Sequence, residues 1–248
     1  MPNPFDIGSA RLLAALGFSA LATTSAGFAA TLGRPDMAVT RDELLDHVAA
    51  LSCATSLPLN VDAERCFSEK VEGVAETIAL LGHAGAAGSS IEDWDPVAAR
   101  IDDVATAVAR VSAAAVSARA NGVVLTARCE NHIRGVQDLD DTLTRLSAYR
   151  DAGADVLYAP GLVDAAHIAR VVALGLPVNV LLLSGGPTVA ELAALGVRRI
   201  SLGSALARAA HGAVVAMAQA VLETGTLDPQ LPMLSGSLVA DAFTASPE

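Results

Sequence analysis

Two carboxylates two positions apart, Asp62 and Glu64 in NVDAERCF (60–67), close an apolar run. On an extended segment, alternate side chains share a face, so both acids point the same way. Arg128 and Glu130 repeat the arrangement at the end of VVLTARC (123–129). Glu92 and Asp93 end a third run, AAGSSIE (86–92). Carboxylates away from water are costly unless paired or bound to a cation. Asp62, Glu64 and Glu92 delivered to one place, with no histidine among them, offer hard oxygen donors suited to Mg²⁺ rather than zinc. Arg128 adds a planar fork matched to a carboxylate, although a structural ion pair with Glu130 is an equally simple use for it. Thr23, Thr24 and Ser25, followed by Ala26-Gly27, make a small hydroxyl-rich segment able to approach an anion. Together these residues describe a pocket for a cation and a small organic acid.

The chain must bring distant segments together to build such a pocket. Apolar runs at 19–25, 57–63, 86–92, 123–129, 155–160, 177–183 and 198–203 read as strands. Between them lie alanine-rich stretches with helical spacing, several ending in glycine, as in DAGADV and LGVRRI. Asp6 is placed to cap the first helix, and Asp93 to cap a helix running on from Trp94-Asp95-Pro96. Strand and helix alternating in this way predict βαβ units and a parallel sheet. Seven strands, with MPNP as the stub of an eighth, predict a single (β/α)₈ barrel domain over 1–248, a usual length for that fold. In such barrels the chemistry sits at the C-terminal ends of the strands, where all of these residues fall. Asn179, within the strand at 177–183, is a further candidate to bind the acid. Only the tail, TASPE, reads as loose.

Composition narrows the partners. With 16 Lys+Arg against 27 Asp+Glu, the formal net charge is −11, which argues against a nucleic-acid or anionic-membrane surface. The chain is 52% hydrophobic but only 3% aromatic, so its core is Ala, Val and Leu. Three widely spaced cysteines predict free thiols in a reducing compartment. No basic segment precedes a long apolar one at the start and no uninterrupted apolar run reaches membrane-spanning length, so a cytoplasmic location is expected.

LATTSAGFAATLGRPD (21–36), IED (91–93), LTAR (125–128), AYRDAGADVLYAPG (148–161) and AALGVRRISLGSALARAA (193–210) together resemble the isocitrate lyase/phosphoenolpyruvate mutase superfamily, over nearly the whole chain and in order. The resemblance implies a modified (β/α)₈ barrel whose subunits exchange the last helix in a homodimer or homotetramer. It also implies Mg²⁺ as cofactor, and cleavage of a C–C, less often a C–P, bond in a small 2-oxo or 2-hydroxy acid through an enolate-like state. By position, Asp62 is the metal-binding aspartate, Glu64 an acid near it and Glu92 the acid holding metal-bound water. Thr23, Thr24 and Ser25 cradle substrate oxygens, Arg128 takes the substrate carboxylate, and Asp36 lies on the loop over the metal. Three features depart from the family pattern. Arg65-Cys66-Phe67 replaces a Gly-Tyr-Gly turn, the lyase branch's gating segment with its acid/base cysteine is missing after Asp93, and the first strand is expected to be short. These departures keep open a second reading, a barrel that binds a metabolite or partner without turnover.

Overall fold

A computed structural model describes residues 1–231 and 233–244, so residues 245–248, most of the expected loose tail, lie outside the described residues. Seven parallel strands stand in sequence order: β1 (Leu21–Ala22), β2 (Leu59–Asp62), β3 (Gly88–Glu92), β6 (Val124–Arg128), β7 (Val156–Tyr158), β8 (Val178–Leu181) and β9 (Arg199–Ser201). Each falls inside a run read as a strand from the sequence. Two further short strands, β4 (Trp94–Asp95) and β5 (Arg100–Ile101), pair antiparallel outside the sheet. Residues Met1–Asn3 occupy the gap between β9 and β1. Ala22 N donates to Pro2 O at 3.0 Å and the Met1 amino group to Ile200 O at 2.8 Å. The Asn3 amide donates to Thr23 O, and its carbonyl accepts from Leu202 N and Gly203 N. The stub expected at MPNP thus takes the eighth position of a nearly closed barrel.

Helices α1 (Ile7–Ala15), α3 (Arg41–Ala54), α4 (Val71–His83), α5 (Val104–Ala120), α6 (Leu139–Asp151), α7 (Ala165–Val172), α8 (Val189–Ala194) and α9 (Ala205–Thr224) match helical stretches of the sequence. Two more, α2 (Ser25–Thr31) and α10 (Gly236–Thr244), were not anticipated. Asp6 caps α1, its side chain accepting from Ser9 N at 2.7 Å. Glycines 153 and 196 stop α6 and α8 with φ of +104° and +93°, a region closed to most other residues. The core lies between sheet and helices, built on Leu21, Leu59, Val61, Ile78, Leu81, Ile91, Leu125 and Leu157, all essentially buried. The last helix, α10, lies on α1 of its own chain, where Arg11 Nη1 donates to Phe243 O at 3.0 Å.

One expected helix is shorter than its pattern. Trp94-Asp95-Pro96 does not lead straight into a helix. It forms the β4–β5 hairpin, whose turn is tied by the Asp95 carboxylate accepting from Val97 N and Ala98 N. Proline at 96 and the Asx-type turn outcompete helical spacing there. Helix α5 starts only at Val104, capped by Asp103 rather than Asp93.

Candidate active site

Strand ends β1, β2, β3 and β6 bring the acids and Arg128 to one end of the barrel, above a pocket of about 170 Å³. Thr23, Thr24, Ser25, Asp36, Asp62, Arg128 and Asn179 line this pocket as expected; Glu64 and Glu92 do not. Among the described residues, no three acidic, histidine or cysteine side chains converge closely enough to ligate one ion.

Arg128 stands among the acids. Its Nη1 donates to Asp62 Oδ1 at 2.6 Å, its Nη2 lies 3.1 Å from Glu92 Oε2, and its Nε donates to Glu130 Oε1 at 3.0 Å. Its guanidinium also faces the Tyr158 ring, 5.4 Å from the centroid. Burial opposes the charge on Arg128, but Glu130, Asp62 and Glu92 overcome it and hold the guanidinium protonated. Of the two uses of Arg128 open in the sequence, the ion pair with Glu130 is present, and the guanidinium that makes it also lines the pocket.

The acids outnumber the cations. Arg134, stacked over Trp94 at 4.1 Å, reaches Glu92 and Glu130 only at 3.9 Å. Glu92 is buried with Oε1 unpartnered. Burial raises its pKa well above the carboxylate range, and Glu130, Asp62 and Glu64 add to the effect against Arg128. Glu64 is pushed up to about 8 by burial first, then by Asp62 and Asp36. Carboxylates that burial first, and neighbouring acids second, drive toward the protonated form would be stabilised as anions by a further cation. Two carboxylates on the pocket wall, Asp36 and Asp62, with Glu64 and Glu92 outside the lining, are compatible with the habit of Mg²⁺, which keeps most of its waters and takes one or two carboxylates, rather than a full protein cage.

The hydroxyl segment mainly positions other groups. Thr23 Oγ1 accepts from Asp62 N at 2.8 Å, Thr24 Oγ1 caps α2 by accepting from Gly27 N, and Ser25 N donates to Asp62 Oδ2 at 3.2 Å. The first turn of α2 therefore holds the Asp62 carboxylate in place. Asp36 is exposed on the loop after α2 and bonds its own chain, accepting from Met37 N. Asn179 is buried and donates to Ser201 Oγ at 3.0 Å.

The turn that replaces Gly-Tyr-Gly keeps a backbone glycine would favour. Glu64, Cys66 and Phe67 have φ of +49°, +59° and +53°, which is strained for residues with a Cβ. Arg65 holds it. Its guanidinium grips Asp102 through two 3.0 Å bonds, while Arg110 donates to Arg65 O and Ser68 O and Thr77 Oγ1 to Cys66 O.

The remaining candidates are structural. Burial pushes the Cys66 thiol up to about 12 and raises Cys129 further, so neither is a nucleophile. Both ring nitrogens of His132 are engaged, by Gln137 and Thr142. Asp93 accepts from Tyr149 Oη at 2.6 Å and from Glu130 N at 2.8 Å, tying β3 to α6. Sequence reasoning missed the inward residues below the rim, among them Asn60, Ser90, Thr126, Tyr158 and Arg199, which also line the pocket. Their signal was present as polar residues at alternate positions inside strands that otherwise read as apolar.

The sequence model of the phosphoenolpyruvate phosphomutase family matches residues 1–222. The chain belongs to the isocitrate lyase/phosphoenolpyruvate mutase superfamily. Relatives in this superfamily are lyases, mutases and hydrolases that act on small carboxylic acids, and the chain is an enzyme of this superfamily. It is 31% identical to an oxaloacetate decarboxylase of Bradyrhizobium sp. over 230 residues, covering 89% of this chain and 76% of that one. The fold superposes with a TM-score of 0.93 on a Burkholderia cenocepacia J2315 protein described only as a lyase/mutase, with 49% identity over 100% of this chain and 91% of the other. An oxaloacetate acetylhydrolase solved with its product oxalate shares 26% identity at a TM-score of 0.84, covering 98% of this chain and 88% of its own.

Proposed function

We propose that this superfamily member is a Mg²⁺-dependent lyase that cleaves a carbon–carbon bond in a small 2-oxo or 2-hydroxy carboxylic acid; cleavage of a carbon–phosphorus bond is the less favoured variant. The observation carrying this reading is the cluster of Asp62, Glu64, Glu92 and Glu130 around Arg128 at the rim of a small pocket, short of positive charge. At about 170 Å³ that pocket is below the roughly 300–1,000 Å³ of drug-sized sites and suits a metabolite of a few carbons. The oxaloacetate chemistry of two relatives points the same way.

Asp62 would hold the cation from the pocket wall, with Glu64, Glu92 and Asp36 around it. When bound, Mg²⁺ supplies a Lewis acid beside the acid's oxygens. The chain's own part is orientation and charge. Ser25 N and Thr23 fix Asp62. Arg128 turns part of its fork to the substrate carboxylate and offsets negative charge that develops as the bond breaks. The Tyr158 ring keeps that guanidinium over the pocket. The pocket lining has no cysteine, histidine or lysine among the described residues, which leaves its carboxyl groups, Tyr158, the Met1 amino group and solvent as the titratable groups able to hold a proton there. Asp36, exposed at the rim, is the carboxylate placed to exchange protons with water.

The test is release of pyruvate from oxaloacetate, 2-methylisocitrate and phosphonopyruvate with Mg²⁺ present. Turnover of one of them that Asp62→Ala abolishes supports the lyase. No turnover, together with a melting temperature that Mg²⁺ and oxalate leave unchanged, supports the second reading, a barrel without chemistry; the full engagement of Arg128 by acids is the observation that favours it.

The assembly belongs to the same proposal. Helix α9 is long and apolar enough by length and composition to cross a membrane, yet only 6% of that apolar stretch is buried. Val214, Met217, Val221 and Leu222 line an open apolar groove on it. We infer that a second copy of the chain covers this face in a homodimer or homotetramer, in which α10, packed here on α1 of its own chain, would be exchanged.

A further inference from the structure

Barrel interiors are ordinarily packed with layers of Val, Ile and Leu. Below the rim of this one, the inward positions are Asn60, Ser90 and Thr126, each two residues before Asp62, Glu92 and Arg128 and so about 7 Å deeper along its strand. Arg199 joins them from β9. Its Nη1 donates to Thr126 Oγ1 on β6 at 3.1 Å, although β7 and β8 stand between those strands in the sheet. The guanidinium therefore crosses the barrel interior beneath Arg128.

The two arginines in this pocket differ in one respect. Arg128 has three carboxylates, whereas no carboxylate among the described residues lies within ion-pair distance of Arg199. The buried Arg199 Nε has no partner, and neither do Asn60 Oδ1 and Asn179 Oδ1 on the same pocket. Burial pulls the Arg199 pKa down to about 10, with only Tyr158 acting against it, and the group stays charged at neutral pH. A partly buried guanidinium without a counter-charge is costly to keep, and this one lines open pocket space rather than packed side chains.

Resting on the proposed function, we propose that Arg199 is a specificity-determining residue. It receives a second carboxylate of the substrate on the pocket floor, so that the site selects dicarboxylic acids over monoacids of equal length. The planar fork suits a carboxylate. The Asn60 and Asn179 amides, flanking the floor, orient the chain that joins the two acid groups.

The experiment is calorimetric titration of the full chain with saturating Mg²⁺ and three ligands. Oxalate reaches only the rim, malate carries a second carboxylate, and 2-hydroxybutyrate has malate's length with a single one. Wild type should bind malate roughly 10- to 100-fold tighter than 2-hydroxybutyrate, the range expected of a charge-assisted hydrogen-bonded pair. Arg199→Gln should reduce that ratio to within about threefold and leave oxalate within about twofold, and Arg199→Lys should keep part of the preference. Equal affinity of wild type for malate and 2-hydroxybutyrate overturns the proposal. So does an Arg199→Gln variant that weakens oxalate and malate by the same factor. Oxalate failing to bind while malate binds through Arg199 overturns the rim site alone and leaves the floor intact. Should Arg199→Gln not fold by circular dichroism, the wild-type ratio and Arg199→Lys decide the question.

Discussion

Arg128 Nη1 and Asp62 Oδ1 lie 2.6 Å apart, so the proposed holder of the cation and the proposed holder of the acid grip each other. Cation and acid together must compete with that pair, which makes their binding interdependent. Mg²⁺ alone or oxalate alone should therefore raise the melting temperature little, and the two together clearly. At a ligand concentration 100 times the dissociation constant, the gain is about 2.7 kcal/mol. Asp62→Asn should remove the joint effect while the chain stays folded, because Thr23 bonds the Asp62 backbone and not its carboxylate. Thermal melts of both proteins with each ligand and with the pair check this.

Removing the guanidinium has a different consequence. Arg128→Gln leaves Glu92 and Glu130, both nearly fully buried, without their closest positive partner. Breaking such a pair typically costs about 3–5 kcal/mol, so the variant should lose turnover and also unfold at lower urea. Glu130→Gln should cost less, since Arg128 keeps Asp62 and Glu92. Equal urea midpoints for wild type and Arg128→Gln would show that the cluster contributes nothing to the fold.

Much of this was readable in the order of residues. The seven strands, the rim acids, Arg128 and the eighth-position stub are encoded locally, in apolar runs that end in polar residues. Helix α2 escaped notice because it begins at Ser25, immediately after the strand, and its seven residues are too few to show a period. The β4–β5 hairpin lay hidden inside a continuous alanine-rich pattern. Partnership was the harder matter. Spacing shows that Asp62, Glu92 and Glu130 point to one end of a barrel, but not that Arg128 would bond all three. Arg199 is one of two adjacent arginines in GVRRIS, and only closure of the barrel shows which of them turns inward. The glycine-less turn after Glu64 could be recognised as unusual from sequence, yet its support by Asp102, 37 positions away, could not.

That support is itself testable. Arg65 is buried and bonds Asp102, which is 2% exposed, while the backbone around it holds three positive-φ residues. Arg65→Met should leave the buried Asp102 carboxylate with only Arg110, at 4.0 Å, and release the turn, at a cost of at most about 3–5 kcal/mol. Because Glu64 lies on that turn, the affinity for Mg²⁺ with oxalate should fall as well. Urea denaturation and the ligand-induced melting shift read the two effects separately.

Helix α9 makes a prediction about assembly. Leu222 is 86% exposed and Val214 66% exposed on its apolar face. Leu222→Asp combined with Val214→Asp should shift the protein to monomer in light-scattering chromatography, with the wild type eluting as dimer or tetramer. A monomeric wild type sinks this part of the proposal.

His47 gives the stability of the fold a specific pH dependence. Its ring stacks on Phe28 with centroids 3.8 Å apart, and it is 9% exposed. Burial lowers its pKa to about 4, against a weaker opposing pull from Asp6. The unfolded chain takes up this proton near pH 6.5 and the folded one does not, so the neutral ring's contribution is complete above pH 6.5. It declines as pH falls from 6.5 to 4 and is constant below that. Over this window the loss is at most about 3 kcal/mol. Buried acids, Asp93 among them at about 6, titrate in the same range with the opposite sign, so the informative quantity is a difference. Unfolding free energies of wild type and His47→Leu, measured at steps between pH 7.5 and 4, should converge or cross as the pH drops, with wild type losing more. A constant gap between the two proteins across that range would mean that His47 titrates normally and that its ring is not held neutral by the fold.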